Sequence, residues 1–187
     1  VYLKIVERKS TDPELADYLN KMRNATAAIK TQIEFTRVYQ NLGTHEPQWI
    51  NLETIMPYPY VPSKILIHAD LRGIRVRADP MLEKVFFNLL DNSLRHGKQV
   101  TKIGVSSHPS GRDLVIVWED NGVGIPADIK EQIFEHGFGE NTGLGMFLAR
   151  EILALTGIAI TETGEPGKGA RFEIVVPGGA YRIISPP

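Results

Sequence analysis

The sequence predicts an α+β fold, a two-layer α/β sandwich entered through a long helix. Strand-length apolar runs bounded by glycine, proline and polar turns recur at residues 65–68, 74–77, 102–107, 113–119, 158–161 and 170–176. The helical stretches among them are grouped to one side of the strand pattern instead of alternating with it, which disfavours repeated βαβ units. Ahead of them, no proline or glycine interrupts the chain from Glu14 to Leu42.

Residues 1–9 read as the last turns of a helix. Ser10 to Glu14 then makes a turn, with Asp12 as N-cap and Pro13 at the first helical position. The long helix runs to a stop at Gly43. Leu15, Leu19, Met22, Thr26, Ile29, Ile33 and Thr36 follow steps of four and three, a seam for a partner helix. Tyr18, Ala25, Phe35, Tyr39 and Leu42 widen that surface, as in a bundle of about four helices. The short connection makes the preceding helix the antiparallel neighbour, so 1–43 reads as the second part of a helical hairpin. A hairpin packed within the same globule fits the pattern too. Residues 44–62 carry Pro47, Pro57, Pro59 and Pro62 and read as a linker holding a short strand at Trp49–Leu52. Residues 63–177 form the main domain, and 178–187 a tail with no assigned role. The start at Val1, partway through a helix, reads as a piece of something longer.

Within the main domain, Asp79-Pro80 announces a helix whose two faces differ. Leu82, Phe86, Phe87, Leu89, Leu90 and Leu94 share a broad apolar side. Asn88, Asp91, Asn92 and Arg95 fall within an arc of roughly 100° opposite. A solvated face would ordinarily use Lys and Glu, because Asn and Asp are poor helix formers. The stripe suits a metal-bound polyphosphate. Net charge is −1, with 21 basic and 22 acidic residues, so no global field draws nucleic acid or an anionic membrane, and phosphate binding needs a local site. The absence of cysteine removes disulfides, thiol catalysis and cysteine zinc sites, and fits a reducing compartment. No apolar run approaches the roughly 18 residues of a membrane span.

Two glycine-rich stretches complete the picture. Asp120-Asn-Gly-Val-Gly-Ile-Pro126 closes an apolar strand, where Asp120 can accept from an exocyclic amine and Ile125 offers an apolar wall; a plain turn fits as well. Gly137-Phe-Gly-Glu-Asn-Thr-Gly-Leu-Gly145 opens onto an amphipathic helix, whose free N–H groups can cradle phosphate. It matches neither a Walker sequence nor a dinucleotide fingerprint.

Five blocks in order, Asn88-Leu-Leu-Asp-Asn92-Ser-Leu-Arg95-His96, Asp120 to Pro126, Ile133-Phe134-Glu135, Thr142-Gly-Leu-Gly-Met146 and Gly167-Lys-Gly-Ala-Arg-Phe172, resemble the N, G1, F, G2 and G3 boxes of sensor histidine kinases. The resemblance covers residues 49–177 and implies a Bergerat-type (GHKL) ATPase domain. The helix at 13–42 resembles the second helix of the dimerisation and phosphotransfer hairpin, part of a dimeric four-helix bundle. Mg²⁺ and ATP are then the implied ligands. Asn92 would ligate Mg²⁺, with Asn88 beside it touching metal-bound water or phosphate, a donor type that suits this hard cation. Arg95 occupies the position of the family's phosphate-contacting basic residue, and His96 the neighbouring one. Asp120 would read the adenine amine in a pocket shaped by Gly122, Gly124, Ile125 and Phe172. Phe134 would anchor a short lid, Glu135 to Thr142, and Thr142, Gly143, Leu144 and Gly145 would close on the phosphates. Asp91 stands where the family carries an acid proposed to help deprotonate the acceptor histidine. Simpler roles fit several of these: an Asp91–Arg95 i,i+4 pair, a helix-end cation at His96, and core packing at Phe172.

The resemblance further implies γ-phosphoryl transfer to a histidine, relay to a response-regulator receiver domain, a homodimer, an upstream sensor domain and a cytoplasmic setting, whether the parent is soluble or membrane-anchored. No nucleic-acid or membrane contact is expected of this segment. Of the five histidines only His45-Glu46-Pro47 superficially fits an acceptor, and it follows the helix stop. The acceptor is expected upstream of Val1, so the chain is expected to bind Mg-ATP without labelling itself. An anti-sigma-type serine kinase or an ATP-gated dimerisation module of the same fold is the alternative.

Overall fold

The structure, a computed structural model, describes residues 13–139 and 143–184. The expected helix end at 1–9, the Asp12 cap and Thr142 lie outside the described residues. Helix α1 spans Pro13–Gln40 and ends in a turn at Gly43, whose φ is +67°. Strand β1 (Gln48–Asn51) follows, then β2 (Leu66–Ala69), β3 (Ile74–Ala78), helix α2 (Leu82–His96), β4 (Lys102–Ser110), β5 (Asp113–Asp120), helix α3 (Gly145–Ala154), β6 (Ala159–Glu162), β7 (Arg171–Val176) and β8 (Tyr181–Ile183).

The strands form two sheets. The larger has the order β2-β4-β5-β7-β6, with β2 and β4 parallel and the other pairs antiparallel. The β4–β5 hairpin pairs from Ile103↔Asp120 to Ser110↔Asp113, so β4 runs on through Pro109 and Ser110, beyond the expected run at 102–107. Its central strand β5 has Leu114, Ile116 and Trp118 in the core and Val115 and Val117 buried on the other face. That double burial is why its sequence is a continuous apolar run. Helices α2 and α3 cover the core face, with Phe86, Leu89 and Leu90 of α2 meeting Ala149 and Ile152 of α3 in one cluster with the strands. Asp79 starts α2 as the sequence indicated, its Oδ1 accepting from the Met81 N–H at 2.8 Å.

The second sheet, β1-β3-β8, corrects two boundaries. The segment expected to be a tail supplies β8, which pairs antiparallel with the free edge of β3 from Ile74↔Ile183 to Val76↔Tyr181. The segment read as a linker is integral to the globule: Leu52 and Met56 are buried in the core and β1 pairs with β3. Its prolines punctuate 3-10 turns at Leu52–Ile55 and Tyr58–Tyr60 and do not mark a flexible joint. Phe87, assigned to the apolar face of α2, is 43% exposed and meets the Tyr60 ring edge-on at 5.2 Å.

Of the α1 seam, Leu19 is buried, whereas Met22, Ile29 and Ile33 are exposed. The last turns of α1 are seated on α3: Phe35 and Tyr39 stack on each other at 5.5 Å and pack against Phe147, which the His136 ring meets edge-on at 5.2 Å.

Candidate functional site

The polar stripe of α2 faces a cleft of about 810 Å³. Asn88, Asp91, Asn92, Arg95 and His96 of α2 line it, together with Gly124, Ile125 and Pro126 from the loop after β5 and Gly143, Leu144 and Gly145 at the start of α3. The helical period puts the first set on one side, and the sheet end delivers the second after β5. Among residues the sequence reading did not single out, Lys84 adds a cation to the rim, and Asn24, Ala27 and Ala28 of α1 border the opening.

Local bonds orient several of these groups. Asn88 Nδ2 donates to the Gly145 carbonyl at 2.8 Å, which fastens α2 to the start of α3 and leaves the side-chain oxygen as an acceptor. Arg95 Nε donates to Asp91 Oδ1 at 2.7 Å; both side chains are about half exposed, so this pair contributes little stability but holds the guanidinium along the stripe. Helix α3 has no side-chain cap at Leu144, and the N–H groups of its first turn are unclaimed within the helix, beside the cleft where Gly145 and Met146 line it. Such a terminus, with its dipole, favours an anion.

At the inner end a second cavity of about 20 Å³ is lined by Asn92, His96, Gly97, Asp120, Gly124, Ile125 and Ala170. Asp120 is buried and accepts from Ser93 Oγ, from the Gly122 N–H and from the Ala170 N–H. Gly122 lies against Gly97, where a Cβ would stand 2.6 Å from the Gly97 carbonyl oxygen, so it packs the end of α2 close to β5 and does not line either cavity. Phe134 and Phe172 also stand behind the site. Both are buried, they meet edge-on at 6.3 Å, and neither enters the cleft wall. Arg150 holds Phe134, lying over its ring at 5.4 Å and donating to its carbonyl at 2.9 Å. Of the lid stretch, Phe138 and Gly139 border the cleft, and Gly137 N–H donates to the Gly143 carbonyl.

Sequence reasoning missed the groups that hold this end together, because each works through a partner far along the chain. Ser93 and Trp118 back Asp120. Lys130 forms an ion pair with Glu162 at 2.8 Å and donates to the Gly164 carbonyl, tying the loop after Ile125 to the β6–β7 turn. In that turn Gly169 has φ +117°, and a Cβ on it would come within 1.8 Å of the Asp120 carbonyl oxygen. Gly169→Ala is therefore expected to push Asp120 out of place and lower Tm by roughly 5 °C or more. An unchanged thermal melt would contradict the close approach.

No group of three or more His, Cys, Asp and Glu suited to a metal occurs among the described residues. The donor set still fits Mg²⁺. Two carboxamides one turn apart on α2 line the cleft, and this cation is commonly held by one or two protein oxygens with waters and substrate phosphates.

A family model, histidine kinase-, DNA gyrase B- and HSP90-like ATPase, matches residues 78–180. The chain is 28% identical over 170 residues to the sensor protein KdpD of Escherichia coli (strain K12), covering 82% of this chain and 19% of that protein. It spans about a fifth of the length of the curated relatives it matches. Full-length ShkA in complex with AMPPNP has the same fold, with TM-score 0.67 and 18% identity, over 100% of this chain and 43% of that one. So does histidine kinase ThkA in complex with the response regulator TrrA, with TM-score 0.67 and 22% identity over 96% of this chain and 56% of that one. The chain belongs to the histidine kinase-, DNA gyrase B- and HSP90-like ATPase family.

Proposed function

We propose that the cleft takes Mg-ATP and that the intact protein transfers its γ-phosphoryl group to a histidine, for relay to an aspartate of a response regulator. One observation carries the reading: the α2 stripe and the uncapped start of α3 line one cleft, and a small adjoining cavity that shares Asn92, His96, Gly124 and Ile125 with it is lined by the buried Asp120 carboxylate. Asn92 and Asn88 would hold Mg²⁺ through their side-chain oxygens, and the ion would supply charge that offsets that of the phosphates. Arg95, His96 and the first turn of α3, with Gly143, Leu144 and Thr142, bind and orient the phosphate chain. Asp120 accepts from the adenine amine, and Gly124 and Ile125 wall the base. Asp91, with one carboxylate oxygen engaged by Arg95 and the other available, accepts the proton from the attacking histidine. Catalysis of this kind rests on positioning and charge neutralisation.

AMPPNP in the ShkA complex and the regulator in the ThkA–TrrA complex support the nucleotide and the receiver-domain partner. The exposed Met22, Ile29 and Ile33 on α1 support a homodimer through that helix. An upstream sensor domain and a cytoplasmic setting complete the reading, without nucleic-acid or membrane contact from this segment. Among the described residues no helix is long and apolar enough to cross a membrane.

Calorimetric titration with Mg-ATP is expected to give saturable heat, about one nucleotide per chain; no heat would overturn the reading. Incubated alone with γ-labelled Mg-ATP, the chain is expected to gain no acid-labile phosphate. His45 sits in a bend beyond α1, His68 and His108 lie on strands, His96 ends α2, and His136 packs on Phe147. Acid-labile label on any of them would assign the acceptor within this chain.

A further inference from the structure

The carboxylate at the base end of the cleft is set by a buried relay. A carboxylate offers roughly four lone-pair positions, and three of those on Asp120 are taken. Oδ1 accepts from the Gly122 N–H at 2.9 Å and the Ala170 N–H at 3.1 Å, and Oδ2 accepts from the Ser93 hydroxyl at 2.6 Å. Ser93 lies within α2, where a serine often turns its hydroxyl back to the carbonyl four residues earlier. Here it reaches across to the end of β5 instead. Trp118 accounts for that choice: its indole Nε1–H, a donor only, points at Ser93 Oγ at 3.2 Å. The hydroxyl that accepts from Trp118 has its own proton left for Asp120. With Trp118 and Ser93 both essentially inaccessible to solvent, no water competes for either bond. The relay therefore runs one way, from Trp118 through Ser93 to Asp120. One acceptor position remains, on Oδ2 of a side chain that lines the small inner cavity with Asn92, His96 and Ile125.

We propose that Ser93 is a positioning residue for purine selection. Oriented by Trp118, it fixes the Asp120 carboxylate with a single open acceptor, which takes the 6-amino group of adenine and rejects the carbonyl that guanine presents at the same place. This rests on the base-reading role given to Asp120 above, and the test separates the two. Dissociation constants are measured with Mg²⁺ for ATP and for purine riboside triphosphate, which lacks only the 6-amino group, so that their ratio isolates the amine contact. The wild type is expected to prefer ATP by about tenfold or more, as for one hydrogen bond to a charged acceptor. Ser93→Ala keeps the fold, alanine being the better helix former, and is expected to cut that preference by about fivefold while changing affinity for the analogue by less than about twofold. Ser93→Thr retains the hydroxyl and is expected to retain the preference. An undiminished preference in Ser93→Ala overturns the proposal and leaves base reading by Asp120 standing. Equal loss in Ser93→Thr assigns the effect to packing and also overturns it. A wild type without preference overturns both.

Discussion

Asn92→Ala is expected to lower affinity for Mg-ATP by roughly 100-fold, while affinity for ATP in excess EDTA falls only about threefold. The difference between the two titrations is the point of the measurement. Asn92 lines both the main cleft and the inner cavity, where the proposed binding mode brings the cation and the base end of the nucleotide together. Its carboxamide oxygen is a neutral donor, so alanine would remove the proposed metal contact without altering charge. The neighbouring Asn88 cannot readily swing across to replace it, because its amide is fastened to the Gly145 carbonyl. Equal losses with and without Mg²⁺ would move Asn92 from a metal role to a shape or base role.

Lys130→Met is expected to cost about 3 kcal/mol of folding stability, the scale of a buried pair that loses one partner. For a chain of this size that is a fall in Tm of roughly 6–12 °C. The Glu162 side chain is fully buried; its Oε1 accepts from the Gly164 and Arg171 N–H groups, and its Oε2 has no hydrogen-bond partner beyond the ion pair with Lys130. Removing the ammonium strands a carboxylate in the interior. Adding Glu162→Gln is expected to recover part of the loss, since a carboxamide oxygen still serves both N–H groups and carries no charge. Thermal and urea melts of the single and double variants check this. A double variant no better than Lys130→Met would show that the stem of Lys130, and not its charge, does the stabilising.

The reading of the sequence succeeded where chemistry is local and periodic. The α2 stripe could be read because a helix repeats every 3.6 residues, and both glycine stretches singled out in the sequence supply lining to one cleft, through Gly124 and Gly145. The β4 and β5 strands were legible as two strand-length runs at 102–107 and 113–119, though not their full length. What escaped depends on partners far along the chain. Strand β8 is three residues, Tyr-Arg-Ile, too short to carry a periodic signal, and the open edge of β3 makes it a strand. Phe87 obeyed the helical wheel yet sits at the edge of the buried face, where Tyr60 of the proline-rich segment partly covers it. Phe172, expected in the base pocket, and Phe134, expected to anchor the lid, are faced into the core by their strand and turn. Ser93 carried no signal of its own; its meaning comes from Trp118 and Asp120, placed beside it by the sheet.

The aromatic contact between α1 and α3 has a mechanical consequence. Phe147 belongs to the first turn of α3, two residues beyond Gly145, so the ring that receives Phe35 and Tyr39 and the N–H groups that face the cleft share one turn of backbone. At 1.5 Å per residue, the 28 residues of α1 make a shaft about 42 Å long, geared at its C-terminal end to that turn. Rotation of the shaft about its own axis must either slip the aromatic teeth or carry the first turn of α3 with it.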